Sequence, residues 1–172
     1  MRTISVCLSP VSPPPMAVVE TIAPLEIDTN MEYLSYDQYR EVMYSLNGHL
    51  SEFVSVEDAI MSCGIRKPFD FNASSSRLIE IDTGVRAIRE SLSTFVNQPD
   101  GNYSINTAIT YIDLLLASIE QLTAISQNLA KKANGMKYGF LAYRKELKDY
   151  RRKEDVRVAM GDELNSALSR PW

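Results

Sequence analysis

Two apolar seams with a period near 3.5 residues constrain this chain more than anything else in it. The first runs Leu78, Ile81, Val85, Ile88, Leu92 and Phe95, in alternating steps of three and four. The second runs Ile105, Ala108, Ile112, Leu115, Ile119, Leu122, Ser126 and Leu129, widened by Ile109, Leu116 and Ile125. Such spacing puts one apolar stripe on each of two long helices, whereas a half-buried strand would need a period of two. Between the seams, residues 97–101 read Asn-Gln-Pro-Asp-Gly, a strong turn signal. A short turn between two stripes predicts an antiparallel helical hairpin of 76–97 against 105 to about 130. The fold class that follows is all-α, a helical bundle built on this hairpin.

The flanking segments add shorter elements. Ser35 with Gln38 matches a capping box, and Tyr39, Val42, Met43, Leu46 and Leu50 follow at helical spacing. This predicts a helix near 36–50 that ends or bends at Asn47-Gly48. Ser55 with Asp58 repeats the capping signature and predicts a second, short helix over 56–63, closed by Gly64, before a loop through Pro68 and 69–76. Residues 1–30 hold five of the eight prolines and no helical periodicity, which predicts an extended or disordered arm. The domain reading is therefore an arm over 1–30, a bundle over 31–160, and a tail over 161–172 with a short helix through Leu164 and Leu168.

The second seam does not stop at Leu129. Ala133, Met136, Phe140, Tyr143, Leu147 and Tyr150 continue it without a skip, although Asn134-Gly135 is an ordinary helix-end signal. Unbroken phase, and the lack of a Ser, Thr or Asp cap over 136–144, favour one continuous helix from 105 to 155 over a reversal. Over 105–150 alone it would measure about 69 Å, against a diameter of roughly 40 Å for a compact domain of this size. Its far end would protrude, and Phe140, Tyr143, Leu147 and Tyr150 would form a face for self-association.

Charge singles out the same region. Residues 131–157 hold ten Lys and Arg against four acids, a local +6; the chain as a whole carries −4, so the remainder carries −10. Lys137, Arg144, Lys148, Arg151 and Arg152 fall outside the seam and form a candidate polyanion-binding ridge, with RNA as the partner such a ridge would fit. The pairs Lys145–Asp149 and Arg151–Asp155, at i,i+4 spacing, would neutralise part of it.

Catalytic chemistry has little to stand on. His49 is the only histidine, so any triad, His base or His-based metal site would have to use it. No GxSxG, GxxxxGK[ST] or GxGxxG sequence occurs, and Cys7 and Cys63 form no CxxC pair. Adjacent carboxylates such as Glu57 and Asp58 point apart on a helix. The sequence gives no reason to expect catalytic, cofactor or metal residues, a small-molecule substrate, a signal peptide or a membrane span. The expectation is a non-enzymatic, cytoplasmic assembly protein that acts through helix faces and self-associates, with an RNA-binding or coat-type protein as the alternative.

Overall fold

The computed structural model describes residues 34–62, 69–96 and 102–168. They form four helices: α1 (Tyr36–Ser62), α2 (Phe71–Ser93), α3 (Asn102–Ala133) and α4 (Phe140–Leu168). The all-helical class follows the period of the seams. The expected arm over 1–30 and the turn over 97–101 lie outside the described residues.

Helix α1 begins at the expected capping box. The Ser35 backbone N–H donates to Gln38 Oε1 at 3.0 Å, and the Gln38 N–H donates to Ser35 Oγ at 3.2 Å. The helix then runs through Asn47-Gly48 and Ser55, so the two expected helices are one. Leu46, Leu50, Phe53, Val56 and Ile60 keep one buried stripe across the glycine. Burying each such side chain yields about 1.5–3 kcal/mol, which outweighs a glycine cost of about 1 kcal/mol. Helix α2 also starts earlier than expected, inside the stretch read as loop. Asp70 caps it by accepting from the Ala73 N–H at 2.9 Å, and Phe69 packs edge-on against Phe71 at 4.8 Å.

Packing follows the seams. Leu78, Ile81, Val85, Ile88 and Leu92 of α2 are buried, as are Ile105, Ala108, Ile112, Leu115, Ile119, Leu122 and Ser126 of α3. The two helices run antiparallel: Ser75 Oγ donates to Ser126 Oγ at 3.1 Å near one end, and Arg89 pairs with Asp113 toward the other. Helix α3 is central, with its largest interfaces against α2 and α4, while α1 rests mainly on α2. Its start is tied to α1 by Tyr39 Oη, which donates to the Ser104 carbonyl at 3.2 Å. By length and composition the 104–133 stretch is apolar enough to cross a membrane, at mean hydropathy 1.4, yet half of that window is buried inside this bundle. At the α1–α2 contact the His49 ring occupies the space a side chain on Gly84 would need; a Cβ there would stand 2.5 Å from Nε2. The lone histidine is thus a packing group between two helices.

The main correction concerns the end of α3. The chain reverses at Asn134-Gly135 instead of continuing. Gly135 adopts φ +83°, its N–H donates to the Lys132 carbonyl at 3.0 Å, and the Met136 N–H donates to the Lys131 carbonyl at 3.0 Å. That pair of bonds is a Schellman motif, which satisfies the last carbonyls of α3 and suits a residue without a Cβ. Helix α4 then folds back along α3, where Gln121 Nε2 donates to the Glu146 carbonyl at 3.1 Å. The short terminal helix expected after Gly161 is the last part of α4.

Candidate functional site: the basic face and tip of the α3–α4 pair

Reversal changes what the C-terminal residues can do. The four residues expected to form a self-association face are divided. Tyr150 is 1% exposed in the core and is removed from that set; Tyr143 and Leu147 are half-buried against the bundle; Phe140 alone is open. A helix lying back on α3 must turn its seam inward, and the seam was what selected these residues.

Seam spacing carried past Tyr150 reaches Glu154, Arg157, Gly161 and Leu164 in steps of four and three, and this inner line holds a polar cluster. Arg157 is 6% exposed although it belongs to the basic segment. Its Nη2 donates to Glu154 Oε2 at 2.6 Å, its Nη1 donates to Tyr111 Oη at 3.0 Å, and its guanidinium lies 5.8 Å from the Phe53 ring centroid. Burial works against the Arg157 charge, but Glu154 and Tyr111 outweigh it and hold the guanidinium protonated. Glu57 reaches in from α1; burial first, then the like charge of Glu154, pushes its carboxyl up. Burial, with Glu154 and Glu57, also pushes the Tyr150 phenol up. The backbones of α1 and α4 make no direct contact. Phe53, Glu57, Tyr150, Glu154 and Arg157 fill the space between them, as a polar layer within the fold.

The outer side of α4 has the opposite character. Lys137, Arg144, Lys148, Arg151 and Arg152, the expected polyanion set, are all exposed, with Lys131, Lys132, Lys145 and Lys153. Arg144, Lys145, Lys148, Arg151 and Arg152 share one side of the helix at i, i+1, i+4, i+7 and i+8. The expected pairs Lys145–Asp149 and Arg151–Asp155 do not close; the ion pairs among the described residues are Arg86–Asp82, Arg89–Asp113 and Arg157–Glu154. Two of the four acids in the segment turn inward. Glu154 holds Arg157, and Glu146 accepts from Tyr138 Oη at 2.6 Å and from Asn128 Nδ2 at 3.3 Å. Nine exposed cations are left facing two exposed carboxylates, Asp149 and Asp155. The surface is therefore more basic than the sequence count implied.

The α3–α4 turn is hydrogen-bonded and partly apolar. Burial, with the Glu146 carboxylate, pushes the Tyr138 phenol up, and the Tyr138 and Tyr143 rings meet edge-on at 6.3 Å. Met136, Phe140 and Leu141 are 60%, 69% and 78% exposed. Elsewhere, an open groove of about 350 Å³ runs between α2 and α3, lined by Ile79, Asp82, Arg86, Ile119, Glu120 and Thr123, with Arg86 and Asp82 paired to each other. Among the described residues no group of His, Cys, Asp or Glu side chains is placed to hold a metal ion. Comparison with protein families, with curated proteins and with solved structures finds no match.

Proposed function

We propose that this chain is a non-enzymatic assembly protein that self-associates, using the outer face of α4 as its contact surface. The observation that carries the reading is the segregation of charge: nine exposed cations against two exposed carboxylates on 131–157, in a chain whose other residues sum to −10. Copies of such a molecule offer each other opposite fields, which favours ordered association over random contact. Light scattering should find a mass above that of one 19.4 kDa chain, falling as salt is raised. Charge reversal at Arg144, Lys148 and Arg152 should lower that mass while the circular dichroism spectrum is unchanged. A chain that stays monomeric at high concentration in low salt would exclude the reading.

RNA is the second reading, favoured by the one-sided spacing of Arg144, Lys148, Arg151 and Arg152 on a face about 12 Å long. Binding should weaken with salt, and each phosphate contact removed should flatten the log–log salt slope by about one unit. Absence of RNA binding in low salt removes this alternative and leaves self-association untouched.

A further inference from the structure

Residues 131–145 contain five Lys and Arg and no acid. The first carboxylate beyond them, Glu146, is turned inward and held by Tyr138 and Asn128. Within this acid-free stretch stand Met136, Phe140 and Leu141, three of the most exposed large apolar side chains of the described residues. The stretch also runs past the start of α2. Ser126 Oγ donates to the Phe71 carbonyl at the first residue of α2, so the last seven residues of α3 extend beyond that level by about 10 Å. The turn is braced by the Schellman bonds at Lys131 and Lys132, by the Tyr138–Glu146 hydrogen bond and by the Tyr138–Tyr143 contact. The three apolar side chains are thus exposed on a hydrogen-bonded turn, where an external apolar medium could bury them.

We propose that this tip docks on an anionic lipid bilayer, with Met136, Phe140 and Leu141 entering the headgroup–acyl boundary and Lys131, Lys132, Lys137, Arg144 and Lys145 meeting the headgroups. This goes beyond self-association through the basic side of α4, since it uses the apolar end of the molecule. Charge complementarity selects the occupant. An anionic interface places a negative layer around an apolar interior, the same arrangement as cations around the three apolar side chains. Insertion of about 5–10 Å, usual for interfacial elements, is comparable to the length by which α3 runs past the start of α2. RNA suits the patch less well, because of its three exposed apolar side chains only Phe140 presents a flat ring for a base to stack on. A second copy of the chain would leave the five cations to be matched by an acidic rim around an apolar pocket; the groove between α2 and α3 offers only Asp82, already paired with Arg86, and Glu120.

The test is co-sedimentation of the full chain with vesicles of phosphatidylcholine alone and with vesicles that also contain phosphatidylserine. Binding is expected to the second kind only, and salt should weaken it. The double variant Phe140→Ser with Leu141→Ser should keep the wild-type circular dichroism spectrum, since both side chains are exposed, and lose binding by at least about tenfold. Lys131→Gln, Lys132→Gln and Lys137→Gln should each lower it by about fivefold. A Phe140→Trp variant should show a blue-shifted emission component on anionic vesicles beyond the response of the parent chain. No binding to anionic vesicles overturns the proposal. Full binding by the Phe140→Ser, Leu141→Ser variant also overturns it, because adhesion would then be electrostatic only. A fall in oligomer mass in that variant, with no vesicle binding in the parent, overturns it and assigns the tip to a second copy. A monomeric chain that binds vesicles as described leaves it standing while excluding self-association.

Discussion

At the scale of single residues, Arg157 and Glu57 separate what spacing reveals from what composition conceals. Counted as one of ten cations, Arg157 belongs to a basic segment; placed on the seam seven residues after Tyr150, it belongs to the interior. The seam thus contained the signal, but charged residues are rarely carried along an apolar stripe because they are rarely buried unpaired. Arg157→Ala should cost about 3–5 kcal/mol in urea denaturation, because Glu154 and the Tyr111 hydroxyl would be left buried without their partner. Glu57 gives a prediction with a defined sign. Its folded pKa is raised, so the native state holds its proton more tightly than the unfolded chain does. Its charged form therefore costs stability above the folded pKa, and this cost fades as pH falls to the ordinary carboxylate value, below which both states are protonated. Glu57→Gln should raise the melting temperature at neutral pH, and the gain should shrink toward acid pH. A gain of the same size at all pH values would show that charge is not its origin.

At the scale of elements, the reversal between α3 and α4 shows that a continuous apolar count does not require a continuous helix. The heptad count continues across Asn134-Gly135, but Ala133, Met136 and Phe140 on it are exposed and only Tyr143, Leu147 and Tyr150 turn toward the core, so the count carries no information on chain direction. The missing Ser, Thr or Asp cap was no obstacle either. Gly139, whose carbonyl accepts the Tyr143 N–H at 3.1 Å, stands where a cap would, and glycine is acceptable there. The Asn-Gly signal was legible and had a physical cause in the φ of +83° at Gly135. Gly135→Ala distinguishes the two geometries by sign. It should destabilise the reversed chain by about 1–2 kcal/mol, the cost of a left-handed non-glycine residue. In a continuous helix the same change would stabilise by about 1 kcal/mol. Thermal melts of the two proteins decide it. Gly48 erred in the other direction: no turn forms there because burial on both sides keeps α1 whole.

For the molecule as a whole, the helical class, the α2 and α3 seams and the exposed cations were legible because each is a periodicity or a count. The inward turn of Glu146 and Glu154 and the tip at Met136, Phe140 and Leu141 were not, because they depend on which way α4 runs. Helix α3 holds the assembly together, so Leu115→Ala, fully buried at its middle, should cost about 2–5 kcal/mol and shift one cooperative transition rather than melt one helix. The arrangement of interfaces has a kinetic consequence. The extensive contacts join each helix to the next along the chain, α1 to α2, α2 to α3 and α3 to α4. Short sequence separations mean little loop-closure entropy, so each helix finds its neighbour quickly and can do so as it leaves the ribosome. The exception is the layer between α1 and α4, where Phe53 waits for Arg157 more than a hundred residues later. Until α4 is synthesised, the nascent chain presents Phe53, Glu57 and Tyr111 to solvent, and this is the interval in which it would need a chaperone most.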